Sequence, residues 1–170
     1  MNKYILYNKP KKIDLNKIPV HLANAFSKIF KGLPYSTISL DTNYSGLVLF
    51  YQDETFDIEK RSKKIKILLD IQFKKNLKND EIKKITEDIL YLDKNSNFAF
   101  KSSELGVETT LYFQNSITEI LKKIDSLNID RVLISNLDKF EIPRGNYRIL
   151  KDIEVFNFKS LSHSPNKTPR

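Results

Sequence analysis

The chain of 170 residues contains no cysteine. That excludes disulfides, thiolate zinc sites and a cysteine nucleophile. Histidine is scarce as well. Only His21 and His163 occur, the second in a stretch rich in Ser, Pro and Lys, so no metal site is expected. No apolar run approaches the ~18 residues of a membrane-crossing helix. The apolar patch from Tyr4 to Tyr7 is far too short for a secretory signal. The expectation is a cytoplasmic protein with no membrane partner. Glycine and proline are also few, four and six, so each is a visible punctuation mark.

What the chain does have is a core and a charge. Its length suits one domain. A hydrophobic share of 40% and an aromatic share of 11% argue against a disordered chain. The formal charge is +8, with a pI near 9.4. A basic surface attracts polyanions through Coulomb steering and counterion release. Lys, Asn and Ile are unusually frequent, which reads as nucleotide-composition bias in the source genome. Part of the lysine excess is then drift, and a solvated lysine-rich surface remains the bland alternative. No basic helix with a large apolar face is visible, which places anionic membrane behind nucleic acid. RNA is the expected partner, and a monomer the expected state.

Periodicity places the elements. Tyr4 to Asn8 reads as a strand ended by Pro10, and Val20 to Phe30 as a helix stopped by Gly32 and Pro34. Thr37 to Leu40 and Leu47 to Tyr51 read as strands around the polar turn Asp41-Thr42-Asn43-Tyr44-Ser45-Gly46. Lys63 to Phe73 alternates with period two. Asn79 to Leu90 reads as a helix capped by Asn79, with Ile82, Ile85 and Ile89 on its apolar stripe. Thr109 to Phe113 is a further strand. Ser116 and Glu119 form a capping box that opens a helix through Leu127. Arg131 to Ser135, Tyr147 to Leu150 and Ile153 to Phe158 read as strands. The result is a single α+β domain, residues 1–159, with a mixed or antiparallel sheet and flanking helices. Residues 160–170 read as a disordered tail.

Three segments in this order resemble the catalytic domain of the RsuA-like pseudouridine synthases. The first is Tyr4-Ile5-Leu6-Tyr7-Asn8-Lys9-Pro10, an apolar strand ending in Asn-Lys-Pro. The second is Leu40-Asp41-Thr42-Asn43-Tyr44-Ser45-Gly46-Leu47-Val48-Leu49-Phe50. The third is Gly145-Asn146-Tyr147-Arg148-Ile149-Leu150. The resemblance spans Lys3 to about Phe158 and is that of a catalytic domain without the small N-terminal RNA-binding domain many members carry. It implies a pseudouridine-synthase-like fold and isomerisation of uridine in RNA, with ribosomal RNA or a ribosomal subunit as substrate. It also implies a cofactor-free mechanism, with Asp41 as the essential carboxylate. A basic rim drawn from Lys9, Lys11, Lys12, Arg61, Lys64 and Lys66 would face the RNA.

The sequence departs from that family at three positions. Ser39 stands where the family has an arginine two residues before its aspartate. A guanidinium there would favour and orient the ionised carboxylate. Lys64-Ile65-Lys66-Ile67 lacks the family's base-stacking tyrosine, and Gln114 to Glu119 replaces its Arg- and Gln-rich run. Two readings therefore stand. One is an active, divergent synthase. The other is a catalytically degenerate relative kept as an RNA- or ribosome-binding module. On residue chemistry alone Asp41 reads first as a turn former, and only the resemblance turns it into a catalytic candidate.

Overall fold

A computed structural model describes residues 3–56, 65–73, 78–92, 97–100, 104–111 and 126–161. The first strand, β1 (Lys3–Lys9), leads through a 3-10 turn at Leu15–Lys17 into α1 (Val20–Ile29). Then come β2 (Ser36–Ile38), β3 (Ser45–Gln52), β4 (Ile65–Phe73) and α2 (Asn79–Leu92). The described chain continues with β5 (Asn97–Phe100), β6 (Glu104–Leu111), β7 (Ser126–Ile134), β8 (Leu137–Asp138), β9 (Tyr147–Ile149) and α3 (Asp152–Leu161). This is an α+β domain on one mixed sheet in the order β5-β6-β4-β7-β3-β1-β9, with β2 on β3 and β8 on β7. Every pairing is antiparallel except β3 with β7.

Strands β1 and β3 are buried along almost their whole length, because helices cover both their faces. Alternate residues Ile5, Tyr7, Val48 and Phe50 pack against Leu22, Phe26 and Phe30 of the α1 segment. The intervening residues Tyr4, Leu6, Leu47, Leu49 and Tyr51 pack against Phe158 of α3. Period-two alternation thus serves two cores rather than one core and water. A third cluster joins Ile67, Leu69 and Ile71 of β4 to Tyr44, Ile129 and Ile85.

Three sequence expectations change. Ser126 and Leu127, read as the end of a helix, open strand β7. Ile153 to Phe158 is helix, within α3, rather than strand. Glu154 fixes its start: its carboxylate accepts from the Lys151 amide at 3.1 Å and takes a two-pronged contact from Arg148 Nη1 at 2.6 and 2.7 Å. The same device opens α2, where Glu81 accepts from the Lys78 amide at 3.1 Å. Asn79 is therefore the first helical residue and not the cap. Strands β5 and β8 are additional to the expected set. Helix α3 runs to Leu161. Residues 162–170, and the capping box at Ser116 and Glu119, lie outside the described residues.

Candidate functional site

The centre of the sheet is a fork. Strand β7 pairs with β3 in parallel at only two positions, Ser45 with Asp130 and Gly46 with Arg131. From Leu49 to Tyr51, β3 pairs instead with β2. Gly46 makes the seam possible. Its φ is +116°, and a Cβ there would collide with the backbone nitrogen and oxygen of Arg131 and lie 2.8 Å from its carbonyl carbon.

Arg131 occupies the fork. Its Nε donates to the Leu47 carbonyl at 2.8 Å, and its Nη2 to the carbonyls of Ile38 and Ser39 at 3.2 and 2.9 Å. Burial lowers its pKa to about 10, so it stays cationic at neutral pH. Sequence reasoning missed this residue as a site element. Ser39 lacks the arginine expected at its own position, yet a guanidinium from 92 residues away holds its carbonyl. The available signal was a charged side chain inside the run Arg131-Val132-Leu133-Ile134.

A cavity of 370 Å³ opens at the seam, lined among others by Lys11, Ser45, Asp70, Asn128, Asp130 and Arg144. Asp130 is its most constrained member. It accepts from Ser45 Oγ at 3.0 Å, Arg144 at 3.0 Å and Lys139 at 2.9 Å. Burial raises the Asp130 carboxyl, but the bonds from Arg144 and Lys139 outweigh it and hold the pKa below the ordinary value. Asp70 lies directly across the β4–β7 ladder from Asp130 and is exposed. Asn128 donates to Gln72 at 3.2 Å beside it. The wall thus offers carboxylate acceptors, amides and two cations, a set suited to a polar ligand rather than an apolar one.

Asp41 sits on the loop between β2 and β3, which runs into Ser45 of the cavity wall; Asp41 is not itself a lining residue. It is half-buried, and its Oδ1 accepts from the Asn43 amide at 3.0 Å. No cation lies within 4 Å of it among the described residues, so the contact expected of a guanidinium at position 39 is not made. The loop is tied to the end of β1 through Thr42, whose carbonyl accepts from the Lys12 amide at 2.8 Å and from Lys9 Nζ at 3.2 Å.

Lys9 corrects an expectation: it is 0% exposed, so it cannot form a rim. Burial lowers its pKa to about 8, against the opposing pull of Asp41 and with the repulsion of Arg131 and Arg144. Its ammonium is spent on the Thr42 and Pro10 carbonyls, pinning the Asp41 loop. Tyr44 lies close enough to feel the same carboxylate: burial, then the Asp41 charge, raises its phenol. Lys11 and Lys12 are exposed, and Lys11 reaches Asn128 at 3.3 Å across the cavity wall. Arg61, Lys64 and the Lys66 side chain lie outside the described residues. Among the described residues there is no cluster of three or more metal-ligating side chains, and no helix is long and apolar enough to cross a membrane.

No protein-family model matches this chain, and no curated protein does either. Solved structures do. A crystal structure of pseudouridylate synthase aligns over 93% of this chain and 74% of its own, with a TM-score of 0.64 at 14% identity. The chain has the pseudouridine synthase fold. A box H/ACA ribonucleoprotein bound to a substrate RNA containing 2'-deoxyuridine aligns over 82% of this chain and 49% of its own, at TM-score 0.43 and 12% identity. The archaeal box H/ACA Nop10-Cbf5 complex gives 82%, 49%, 0.44 and 14%. Those two alignments are too loose to carry argument.

Proposed function

We propose that this chain is a pseudouridine synthase of the RsuA-like kind acting on RNA, with ribosomal RNA as the substrate class. The observation that carries the reading is the place of Asp41. It stands on the β2–β3 loop of a pseudouridine synthase fold, a loop that runs into Ser45 of the polar cavity at the fork of the sheet and that Lys9 and Arg131 fix from both sides. In the reaction the bond between uracil N1 and ribose C1′ breaks and a bond from C5 to C1′ forms. The C5 proton leaves, and N1 regains one. One carboxylate, acting at the sugar covalently or as a base, suffices for that balance. The target uridine must leave its stack to reach it.

A second reading has its own support. One oxygen of Asp41 is engaged by the Asn43 amide, and the Arg131 guanidinium is turned onto backbone carbonyls instead of the carboxylate. Both features suit a non-catalytic RNA-binding descendant.

Tritium release separates the two. Native protein and Asp41→Asn are each incubated with ribosomal RNA carrying tritium at uracil C5. Release by the native protein alone supports the synthase and the role of Asp41. No release from either, across free RNA and ribosomal subunits, removes the synthase reading in favour of binding.

A further inference from the structure

Phe140 is out of place by the rules of folding. It is 71% exposed, in a protein whose other described phenylalanines are mostly buried. It sits on the loop between β8 and β9, and hydrogen bonds tie that loop's backbone. The Phe140 amide donates to Asp138 Oδ1 at 3.0 Å, and the Ile142 amide to the Lys139 carbonyl at 2.9 Å. Between them Glu141 takes a left-handed φ of +60°, costly for a residue with a Cβ.

The loop is then anchored on both sides of that turn. Ile142 is buried in the core that contains Leu6 and Leu150. Asn8 donates its side-chain amide to the Ile142 carbonyl at 2.8 Å, and its backbone exchanges bonds of 2.7 and 2.9 Å with Gly145 and Asn146. Arg144 reaches Asn8 Oδ1 at 2.6 Å. The backbone that carries this exposed aromatic ring is thus tied on both sides.

The same loop carries two cations that bind a residue of the cavity wall. Lys139 and Arg144, on either side of Phe140 in the same loop, both bind Asp130 and keep roughly a third of their side chains open to solvent, 35% and 41%. Arg144 also lines the cavity. An exposed aromatic ring on a tied loop, which also carries two partly exposed cations bound to Asp130 of the polar cavity, matches how single-stranded nucleic acid is held. Bases stack on the ring, and phosphates meet the cations. The tied backbone adds to this, because the loop itself need not be ordered on binding. A protein partner would favour a wider apolar patch around Phe140, whereas its loop neighbours Lys139, Glu141 and Arg144 are all charged.

We propose that Phe140 is a base-stacking platform for single-stranded RNA beside the Asp130 cavity. This rests on the RNA reading above and names the side chain that grips an unpaired base near the fork.

The chain contains no tryptophan, which gives a clean probe. Phe140→Trp places a single indole in the loop, and stacking on a base quenches its fluorescence. Tyr91→Trp, at an 88% exposed site on α2, is the comparison. Each is titrated with a short single-stranded oligouridylate, with binding followed in parallel by anisotropy of a fluorescein-labelled copy. The expected result is quenching at position 140 and not at 91, and a weakening of about five- to a hundredfold for Phe140→Ala. Binding by the native chain with no quenching at 140, or equal quenching at both sites, overturns the platform and leaves RNA binding standing. Failure of the native chain to bind the oligonucleotide overturns the RNA reading and this inference together.

Discussion

Replacing Gly46 with alanine tests the fork directly. Two costs add there. The backbone is at φ +116°, where a Cβ is disfavoured by roughly 1–2 kcal/mol. The added methyl also overlaps the Arg131 backbone, and no side-chain rotation can relieve a clash with main chain. Forced repacking of that kind costs typically ~1–3 kcal/mol. The sum is about 2–5 kcal/mol, a large part of a domain's usual ~5–15 kcal/mol.

Gly32 separates the two contributions. Its φ is +70°, and nothing lies within 4 Å of the position a Cβ would take. Gly32→Ala therefore reports the conformational cost alone. Urea unfolding of both variants, with the slope checked for constancy, gives the comparison. Gly46→Ala should lose at least about 1 kcal/mol more than Gly32→Ala, the lower bound of the repacking cost. Equal losses would refute the close β3–β7 seam as the reason for glycine at position 46.

Two further outcomes follow from buried charge. Arg131→Met keeps the stem but strands the carbonyls of Ile38, Ser39 and Leu47, so urea unfolding should show a loss of about 3 kcal/mol, and Arg131→Lys should recover only part of it because an ammonium lacks the planar fork. Asp53 lies in the core: burial raises its carboxyl, but bonds from Thr55, Lys159 and Tyr4 outweigh that and bring it down to about 2. Its folded pKa is depressed, so its contribution of about 2 kcal/mol is present above the ordinary carboxylate value and drains away as pH falls through 2. Acid unfolding followed by circular dichroism should show that loss in the native protein, and Asp53→Asn should flatten it.

Much of the fold was legible because one pattern dominated locally. The apolar run of Tyr4 to Tyr7 ended by Pro10, the alternation along Ile65 to Phe73, and the stripe of α2 were each unambiguous. Helix α3 was not legible, since Ile153, Val155, Phe156 and Phe158 are strand-favouring residues without a clear helical stripe, and Ile153 and Phe156 are exposed. Glu154, three residues beyond Lys151, was the signal that outweighed them. At the site, Asp41 could be named from its turn, but Asp130, Arg131 and Arg144 could not. Their roles come from strands and loops far apart in the chain, and periodicity carries no information about which distant carbonyl a guanidinium will meet. Lys9 failed for the opposite reason: sequence marks a lysine as surface by default, and only tertiary packing buried it.

The pairing of β1 with β9 sets an order of events during folding. Residues 5–7 must find residues 147–149, with the strands β4 to β7 lying between them in the chain. Strands β1 and β3 can form their hairpin-like pair early, since fewer than half as many residues separate them. Their outer edge and the face that receives Phe158 stay bare until the last strand and helix arrive. Loops that long close slowly. Until then the apolar strands Tyr4 to Tyr7 and Leu47 to Tyr51 wait half covered, the kind of exposed surface that makes a folding intermediate prone to aggregate.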